Sequence, residues 1–352
     1  MSEDDVDRTP ALPWWPQLPW HAEALREITG LGEAMPHALL VHGPPGIGKH
    51  VFALHLAQAL LCEARLPTGE ACGACLGCRY VVVGQHPDLL RLELATLNAE
   101  TGELEMVEGI AIERVRALIA FVQLTSHRGG AKVAVIAPAE RMNLAAANAL
   151  LKTLEEPPSG THLILVSHQP GRLPATVISR CRRFPLRAPT AEIARGWLNA
   201  QGVAAPDPVL AQAGGAPLAA LALAEPALQQ ERRVWLTALA TPGTLSVVQA
   251  ASRVESGGRD ERKRRLTLYV DWLIGWTEDL ARAVVGAPPL KNPDFSPALA
   301  ALGPRVARVG LFRYHRVLLE QRALLAHPLQ PRLVAEALLI DYRNLFEASG
   351  SA

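Results

Sequence analysis

A glycine-rich segment near residue 43 constrains the fold of this chain more than any other feature. It reads Gly-Pro-Pro-Gly-Ile-Gly-Lys over residues 43–49, between the apolar run 37–42 and the apolar segment 51–61. The run is typical of a strand, and the segment, apolar on nearly all sides, is typical of a helix buried against a sheet. In that setting the backbone N–H groups of a G-x-x-x-x-G-K loop surround phosphate oxygens, and Lys49 reaches the β- and γ-phosphates. The sequence therefore predicts a phosphate-binding loop, with a glycine-rich turn that binds nothing as the alternative.

The candidate nucleotide-binding residues extend one position beyond this loop. That position normally carries a Ser or Thr whose hydroxyl binds Mg²⁺, and here it is His50, a poor ligand for a cation that prefers oxygen. ATP or ADP is the expected ligand. The candidate residues are Gly43, Pro44, Pro45, Gly46, Ile47, Gly48, Lys49 and His50.

The strand predicted at 132–137 ends without the acidic residues that ATP hydrolysis requires. P-loop ATPases place there an acid that holds Mg²⁺, and many add a Glu that orients the attacking water. This chain has Ala137 and Pro138 at the two positions, and Glu140 just beyond is expected to have a different direction. Because phosphoryl transfer depends on positioning metal and water, we hypothesise that the site holds a nucleotide without turning it over.

Alternating strand and helix patterns predict a parallel α/β sheet with helices on both faces. Asn143 is the expected N-cap of one helix, which Pro157 and Pro158 end. The predicted strands are 37–42, 89–94, 132–137 and 161–167, and the predicted helices are 51–61, 110–122 and 144–154.

The pattern changes near residue 188, beyond which strands are hard to find. Alanine-rich helical segments are interrupted there by Pro and Gly pairs, which predicts two helical domains after the α/β domain. In the last domain, Trp and Leu residues at 272–280 have the spacing of a packed helix face. The predicted divisions are 1–187, 188–224, 225–346 and a tail over 347–352.

Four of the five cysteines have the spacing of a metal site. Cys72, Cys75 and Cys78 form C-x₂-C-x₂-C, and Cys62 precedes them with nine intervening residues. Four thiolates suit tetrahedral Zn²⁺ and leave no open position, so we expect structural rather than catalytic zinc. Free thiols are the alternative, and the distant Cys181 is expected to be packed.

Charge and composition limit the functions open to the chain. Lys plus Arg number 35 and Asp plus Glu number 34, so no overall positive charge draws it to nucleic acid. The basic run at 262–265 is more typical of a solvated helix end. The acidic N-terminus does not resemble a secretory signal, and no window has the roughly 20 apolar residues of a membrane span. We therefore expect a cytoplasmic protein.

Arg180 lies in a Ser-Arg-Cys triplet at 179–181, after a short helical stretch at 174–178. Alone, an arginine near a helix end is typical of a surface charge. The triplet follows the phosphate loop, the four cysteines and the segment Ala-Ala-Asn-Ala-Leu-Leu-Lys-Thr-Leu-Glu-Glu-Pro-Pro at 146–158, in that order. This combination resembles the clamp-loader branch of the AAA+ ATPases, and its last two motifs are specific to that branch.

The resemblance implies a role for each region. In the family the arginine of Ser-Arg-Cys projects across a subunit interface onto the neighbour's ATP, so Arg180 would be an arginine finger acting in trans. Residues 1–187 would form the AAA+ P-loop domain, with the zinc module at 62–78. Residues 188–224 would form the helical lid, and residues 225–346 the collar that holds the ring together.

The resemblance also implies partners. The family forms a five-subunit ring of gamma or tau motor subunits, a delta subunit and a non-hydrolysing stator, which places a sliding clamp on primed DNA. Motor subunits keep the loop hydroxyl, the acid pair and a lid arginine, whereas this chain has His50, Ala137 with Pro138, and Gly-Ala-Pro-Leu at 215–218. The three losses favour the stator, a replication subunit of a DNA-directed DNA polymerase (nucleotidyltransferase) that is itself inactive. The position called sensor 1 falls at Ser167.

Two other functions stay open. An active gamma- or tau-type ATPase would need acids where this chain has Ala137 and Pro138. A zinc-containing nucleic-acid-binding protein with a vestigial ATPase core would bind DNA with a strong dependence on salt. The near-zero net charge of +1 argues against that second alternative.

Overall fold

A computed structural model describes residues 18–97, 104–325 and 330–347 of the chain. The chain divides into two compact units, Met1–Ile193 and Ala194–Ala352. The three-domain division with boundaries after residues 187 and 224 stays a prediction. The acidic N-terminus and most of the predicted tail lie outside the described residues.

The first unit alternates strands and helices, as its sequence pattern predicts. All four predicted strands and all three predicted helices are present, with ends that differ by a few residues at most. The short strand at 182–185 and the antiparallel pair of strands at 95–97 and 104–106 were not predicted. In chain order the elements are α1 (Ala22–Thr29), β1 (Ala38–His42), α2 (Lys49–Leu60), α3 (Leu76–Val82), β2 (Leu89–Glu93), β3 (Ala95–Leu97), β4 (Leu104–Met106), α4 (Ile112–Gln123), β5 (Lys132–Ala137), α5 (Leu144–Glu155), β6 (Thr161–Ser167), α6 (Ala175–Ile178) and β7 (Arg182–Pro185).

Five strands form one parallel sheet in the order β2-β5-β6-β1-β7, which confirms the predicted fold class. The central strands β5 and β6 are buried almost throughout, as expected for a parallel sheet with both faces covered. Because the strands are parallel, their carboxyl ends meet at one edge of the sheet. The phosphate loop 43–50 follows β1 at that edge. The last residues of β2, β5 and β6 lie at the same edge and are Glu93, Ala137 and Ser167.

Local sequence signals explain the helices that cover the sheet. The side-chain oxygen of Asn143 accepts a hydrogen bond of 2.8 Å from the backbone N–H of Ala146, so the predicted cap of α5 is present. Such a cap contributes about 1 kcal/mol. On α4, Val115, Leu118 and Val122 recur at helical spacing and are fully buried in the core that α4 shares with α5.

The second unit contains helices and no strand among its described residues. Its core includes six large aromatic residues, Trp235, Tyr269, Trp272, Trp276, Tyr314 and Tyr342. The predicted packed face at 272–280 belongs to this core. Within the described ranges, no helix is both long and apolar enough to cross a membrane. The helices are α7 (Ala191–Ala200), which begins at the boundary, α8 (Pro206–Gln212), α9 (Pro217–Leu223), α10 (Pro226–Ala240), α11 (Val247–Ser252), α12 (Arg259–Val284), α13 (Ser296–Leu302), α14 (Arg308–Leu324) and α15 (Pro331–Glu347).

Candidate functional site

The phosphate loop lies between β1 and α2, as predicted, and two of its glycines are required by geometry. Gly48 precedes α2 with φ of +85°, a left-handed conformation that other residues rarely adopt. A Cβ atom at Gly43 would lie 2.3 Å from the carbonyl oxygen of Leu186, closer than any side chain allows. The local sequence therefore builds the tight turn that a phosphate cradle needs.

Lys49 is turned into the loop and is only 2% exposed. Its Nζ atom donates a 2.6 Å hydrogen bond to the carbonyl oxygen of Pro44 within the same loop. Burial lowers the pKa of Lys49 to about 8, and the nearby carboxylate of Glu140 opposes that shift. The ammonium group is thus still largely protonated at neutral pH, as a phosphate-binding lysine must be.

A second contact fixes the loop from outside. The carbonyl oxygen of Ile47 accepts hydrogen bonds from Nε1 of Trp20 at 2.9 Å and from Nε2 of His21 at 3.0 Å. Burial lowers the pKa of His21 to about 4, so its ring is neutral at pH 7 and Nε2 carries the donated hydrogen. The residues just before α1 therefore hold the middle of the phosphate loop in place.

His50 faces a carboxylate that sequence reasoning missed. Its Nε2 atom lies 3.1 Å from Oε1 of Glu93, the last residue of β2. Burial alone would raise the pKa of Glu93, but His50, Arg91 and Arg114 outweigh burial and lower it. Glu93 thus lies near two arginines and is paired with the residue that stands at the usual Mg²⁺-binding position.

The end of β5 has no group that could bind metal or activate water. Ala137 pairs in register with Glu93 of β2, and the peptide bond from Ala137 to Pro138 is cis. A cavity of 220 Å³ opens here, and its lining includes Glu93, Ala137, Pro138, His50 and His168. The position that would hold the water-activating acids therefore presents a methyl group and a proline ring.

Glu140 uses one of its two carboxylate oxygens in a structural contact, and its buried Oε2 has no hydrogen-bond partner among the described residues. Its Oε1 atom accepts a 3.0 Å hydrogen bond from the backbone N–H of His168. Ser167, at the end of β6, is fully buried, and its Oγ accepts a 3.1 Å hydrogen bond from the backbone N–H of Gln169. Both side chains thus brace the turn after β6.

Arg180 follows α6 and is held by a residue of the Leu-Glu-Glu-Pro-Pro segment. Its Nε atom donates a 2.6 Å hydrogen bond to Oε1 of Glu155, and one of its terminal nitrogens contacts the same oxygen. The other terminal nitrogen donates to the carbonyl oxygen of Thr176 at 2.9 Å and to Oγ of Ser179 at 3.4 Å. None of these partners belongs to the phosphate loop. The side chain is 31% exposed, and Cys181 beside it is buried as predicted.

The four predicted metal ligands come together in one cluster. The sulfur atoms of Cys62, Cys72, Cys75 and Cys78 all lie within 4.8 Å of one another. The Cys62–Cys75 and Cys72–Cys78 sulfur separations are 3.8 and 4.0 Å. A tetrahedral ion with zinc–sulfur bonds of about 2.3 Å requires separations of about 3.8 Å, whereas a disulfide requires about 2.05 Å. The cluster could hold a metal ion, and its geometry fits Zn²⁺ rather than disulfides.

Backbone N–H groups prepare this cluster for anionic sulfur. The N–H groups of Cys72, Cys75 and Cys78 each donate to the sulfur of the preceding cysteine in the cluster, at 3.2 to 3.4 Å. The bond from the N–H of Cys75, together with one from the N–H of Ala74, lowers the pKa of Cys72 to about 6. A thiolate is the form that binds metal, so the backbone favours the ligand state at that position.

Arg128 joins the cysteine module to the loop before β5. Its guanidinium pairs with Glu63, next to Cys62, and lies over the ring of Tyr80, 5.8 Å from the centroid. Arg128 is itself anchored through its backbone N–H, which donates to the buried carboxylate of Asp88 at 3.2 Å. The module is therefore attached to the sheet domain by specific contacts.

These features first define a class of protein. A phosphate loop after a central strand of a parallel sheet, with an arginine following a short helix, is an AAA+ P-loop domain, and the chain continues into helices. A family profile described as "DNA polymerase III, delta subunit" matches residues 23–190.

Relatives give the particular family. The protein named DNA polymerase III subunit delta' from Pseudomonas aeruginosa is 32% identical over 335 residues, which cover 93% of this chain and 97% of that protein. The Escherichia coli protein of the same name is 37% identical over 231 residues, covering 64% of this chain and 66% of that protein. The Escherichia coli DNA polymerase III subunit tau is 36% identical over 163 residues, 46% of this chain and 23% of tau. The chain belongs to the DNA polymerase III delta' subunit family.

Proposed function

We propose that this chain is the stator subunit of a clamp loader that places a sliding clamp on primed DNA during replication. It does not hydrolyse ATP itself, and it supplies Arg180 to the ATP bound by a neighbouring motor subunit. Ala137 and Pro138 at the end of β5 are the single observation that carries the proposal. An active ATPase of the gamma or tau type needs carboxylates at that position, because they hold the metal and orient the attacking water.

The chain's own pocket supports binding without turnover. The cradle is intact at Gly43, Gly48 and a protonated Lys49, so ATP or ADP is the ligand that residues 43–50 would hold. The metal position is taken by His50, which pairs with Glu93. Phosphate binding needs only backbone N–H groups and a cation, whereas phosphoryl transfer also needs a positioned metal ion and water. A pocket can therefore bind phosphate without transferring it.

Arg180 is suited to act on another subunit's nucleotide. Its guanidinium is partly exposed, and its partners leave part of its terminal edge available for a further acceptor. A guanidinium that reaches a γ-phosphate stabilises the charge of the transition state and accelerates hydrolysis by ~10³–10⁵ in other systems. Arg180 is thus the residue that we propose to complete the neighbour's active site.

The cysteine module is proposed to be a structural zinc site. Cys62, Cys72, Cys75 and Cys78 would supply four thiolates, and four protein ligands leave no position for substrate or water. Bound zinc would cross-link the end of α2 to α3. Its contribution is to the stability of the module rather than to chemistry.

The proposed partners are gamma or tau motor subunits and a delta subunit, arranged in a five-membered ring. The sliding clamp and primed DNA would be reached through that ring. The helices from residue 225 onward would form the collar, and those at 188–224 the lid. Replication places such a complex in the cytoplasm.

Reconstitution with the gamma or tau and delta subunits of the same organism tests the proposal. Wild-type chain and Arg180→Ala are assembled separately, and DNA-stimulated ATP hydrolysis and clamp loading are measured. We expect intact assembly with reduced hydrolysis and loading for Arg180→Ala. Arg264→Ala removes the same charge from a side chain that is 79% exposed and serves as the control. Equal activity of Arg180→Ala and Arg264→Ala in fully assembled rings would contradict the finger role.

A further inference from the structure

We infer that Glu155 is a positioning residue for Arg180, holding its guanidinium in the orientation in which it meets the neighbour's γ-phosphate. The inference rests on the proposed function, because it concerns how the arginine finger is aimed. Glu155 closes α5 and belongs to the Leu-Glu-Glu-Pro-Pro segment, 25 residues before the arginine.

The donors of the guanidinium divide into a used side and an available end. An arginine has five N–H donors in a planar fork. The Nε atom and one terminal nitrogen both donate to Oε1 of Glu155, which occupies one side of the fork. The second terminal nitrogen donates to the carbonyl oxygen of Thr176 at 2.9 Å and to Oγ of Ser179 at 3.4 Å. One hydrogen is left over, on the terminal nitrogen that contacts Glu155, and it can donate to a phosphate oxygen in a charge-assisted hydrogen bond.

The support behind Glu155 is rigid. Asn143 caps the start of α5, and the buried residues Leu150 and Leu154 fix the helix against the core of the first unit. α6, which carries the carbonyl oxygen of Thr176, packs against α5. Arg180 is therefore clamped between two elements whose relative position is set by packing.

The contacts of Arg180 indicate that Glu155 orients its guanidinium and does not compete with the phosphate for it. A carboxylate that blocked the whole guanidinium would have to be displaced before Arg180 could act, and its removal would speed hydrolysis. Glu155 leaves one terminal N–H of Arg180 available, so its removal should instead let the long side chain sample other rotamers. Orientation contributes to a rate only when the reacting groups are held in the productive geometry.

The experiment is a double-mutant cycle in the reconstituted ring, read by single-turnover ATP hydrolysis. Glu155→Gln keeps the size of the side chain and removes the charge that holds Arg180. We expect the neighbouring site that Arg180 serves to hydrolyse its ATP about threefold to tenfold more slowly, a change in the lower part of the range of coupling between contacting groups. The KM for ATP and the assembly of the ring should not change.

Glu156→Gln is the matched control. Glu156 is the next residue, is also exposed, and has no ion pair among the residues that the structure describes. The decisive comparison is made in the Arg180→Ala background, where Glu155→Gln should cause no further loss. A general structural defect at the end of α5 would still lower the rate there, which would overturn the inference.

The outcomes separate the inference from the proposed function. If Arg180→Ala leaves the fast amplitude intact, the finger role fails and the inference fails with it. If Arg180→Ala removes one site's share while Glu155→Gln behaves like Glu156→Gln, only the positioning role fails. Faster hydrolysis with Glu155→Gln would mean that the carboxylate competes for the arginine, and this would also overturn the inference.

Discussion

His50 and Glu93 form a pair, with Nε2 of the imidazole 3.1 Å from Oε1 of the carboxylate, at the position where a P-loop ATPase binds magnesium. Glu93 lies beside Ala137 in the sheet register, so the one carboxylate that closes a neighbouring strand is engaged by an imidazole. This pair and the Ala137-Pro138 sequence together explain how the pocket can keep a phosphate-binding loop without being able to hydrolyse ATP.

The first prediction concerns ATP turnover by the purified chain. We expect no hydrolysis above the level of Lys49→Ala, because Ala137 and Pro138 stand where the acids that hold metal and activate water would be. His50→Thr, which restores the loop hydroxyl, should not increase turnover for the same reason. Steady-state phosphate release measures all three proteins, and turnover that disappears with Lys49→Ala would contradict the prediction.

The second prediction concerns zinc. Elemental analysis of the purified chain should find about one zinc per chain, as a four-thiolate site requires. Cys78→Ser should lose most of the metal, since it removes a buried ligand, and should lower the thermal stability of the chain. Cys181→Ser changes a buried cysteine outside the cluster and should retain the metal. Equal zinc contents in the two variants would rule out the assignment.

The third prediction concerns the buried ion pair of Asp88 and Lys132, whose oxygen and nitrogen atoms lie 3.1 Å apart. Asp88 also accepts hydrogen bonds from Ser126 and from the backbone N–H groups of His127 and Arg128. Asp88→Asn leaves Lys132 as an uncompensated buried charge, so we expect a loss of about 3–5 kcal/mol in the free energy of unfolding at pH 7. Chemical denaturation measures this loss. Glu63→Gln, which breaks a half-exposed pair with Arg128, should cost less than about 1 kcal/mol.

The contribution of Asp88 to the free energy of unfolding should also depend on pH. Burial alone would raise the pKa of Asp88, but the hydrogen bonds from His127, Lys132, Ser126 and Arg128 outweigh burial and lower it. A lowered pKa in the folded state contributes stability above the unfolded value of about 4, and this contribution is lost as pH falls through the folded value. The stability difference between wild type and Asp88→Asn should therefore shrink on acidification below about pH 4. A difference that is constant with pH would contradict this origin.

The fourth prediction concerns the core of the second unit. The hydroxyl of Tyr342 accepts a 2.8 Å hydrogen bond from Nε1 of Trp276 and donates one of 2.8 Å to the carbonyl oxygen of Leu239. Tyr342→Phe leaves both a buried donor and a helix-end carbonyl unpaired, so we expect a loss of about 1–3 kcal/mol in the free energy of unfolding. Tyr314→Phe removes a single bond, to the carbonyl oxygen of Leu338, and should cost about 1 kcal/mol. Denaturant titration followed by tryptophan fluorescence measures the free energy of unfolding of both variants. An equal loss in the two would contradict the prediction.

Local signals explain how much of this architecture the sequence predicts. Apolar runs bounded by Gly, Pro and polar residues indicate β1, β2, β5 and β6, because buried parallel strands are apolar on both faces. The strand β7 has no such signal. It contains Arg182, Arg183 and Pro185, which an edge strand tolerates because only one side of it is paired.

Some contacts of the candidate site could also be predicted from the sequence, and others could not. The cysteine cluster could be predicted, since its ligands are close in sequence and their spacing reflects the geometry of one ion. The partners of His50, Arg180 and Lys132 could not, because they lie 43, 25 and 44 residues away. Periodicity and spacing describe neighbours on one element, whereas these pairs depend on which strands and helices the fold places side by side.

The most direct test of the account compares Lys49→Ala with Arg180→Ala in the assembled ring. Each variant is incorporated with wild-type gamma or tau and delta subunits, and single-turnover hydrolysis of ATP is followed in the presence of primed DNA and clamp. We predict that Lys49→Ala leaves the fast amplitude unchanged, while Arg180→Ala removes the share of one site. The opposite pattern, with loss for Lys49→Ala and none for Arg180→Ala, would show that this chain hydrolyses its own nucleotide and would contradict the central claim.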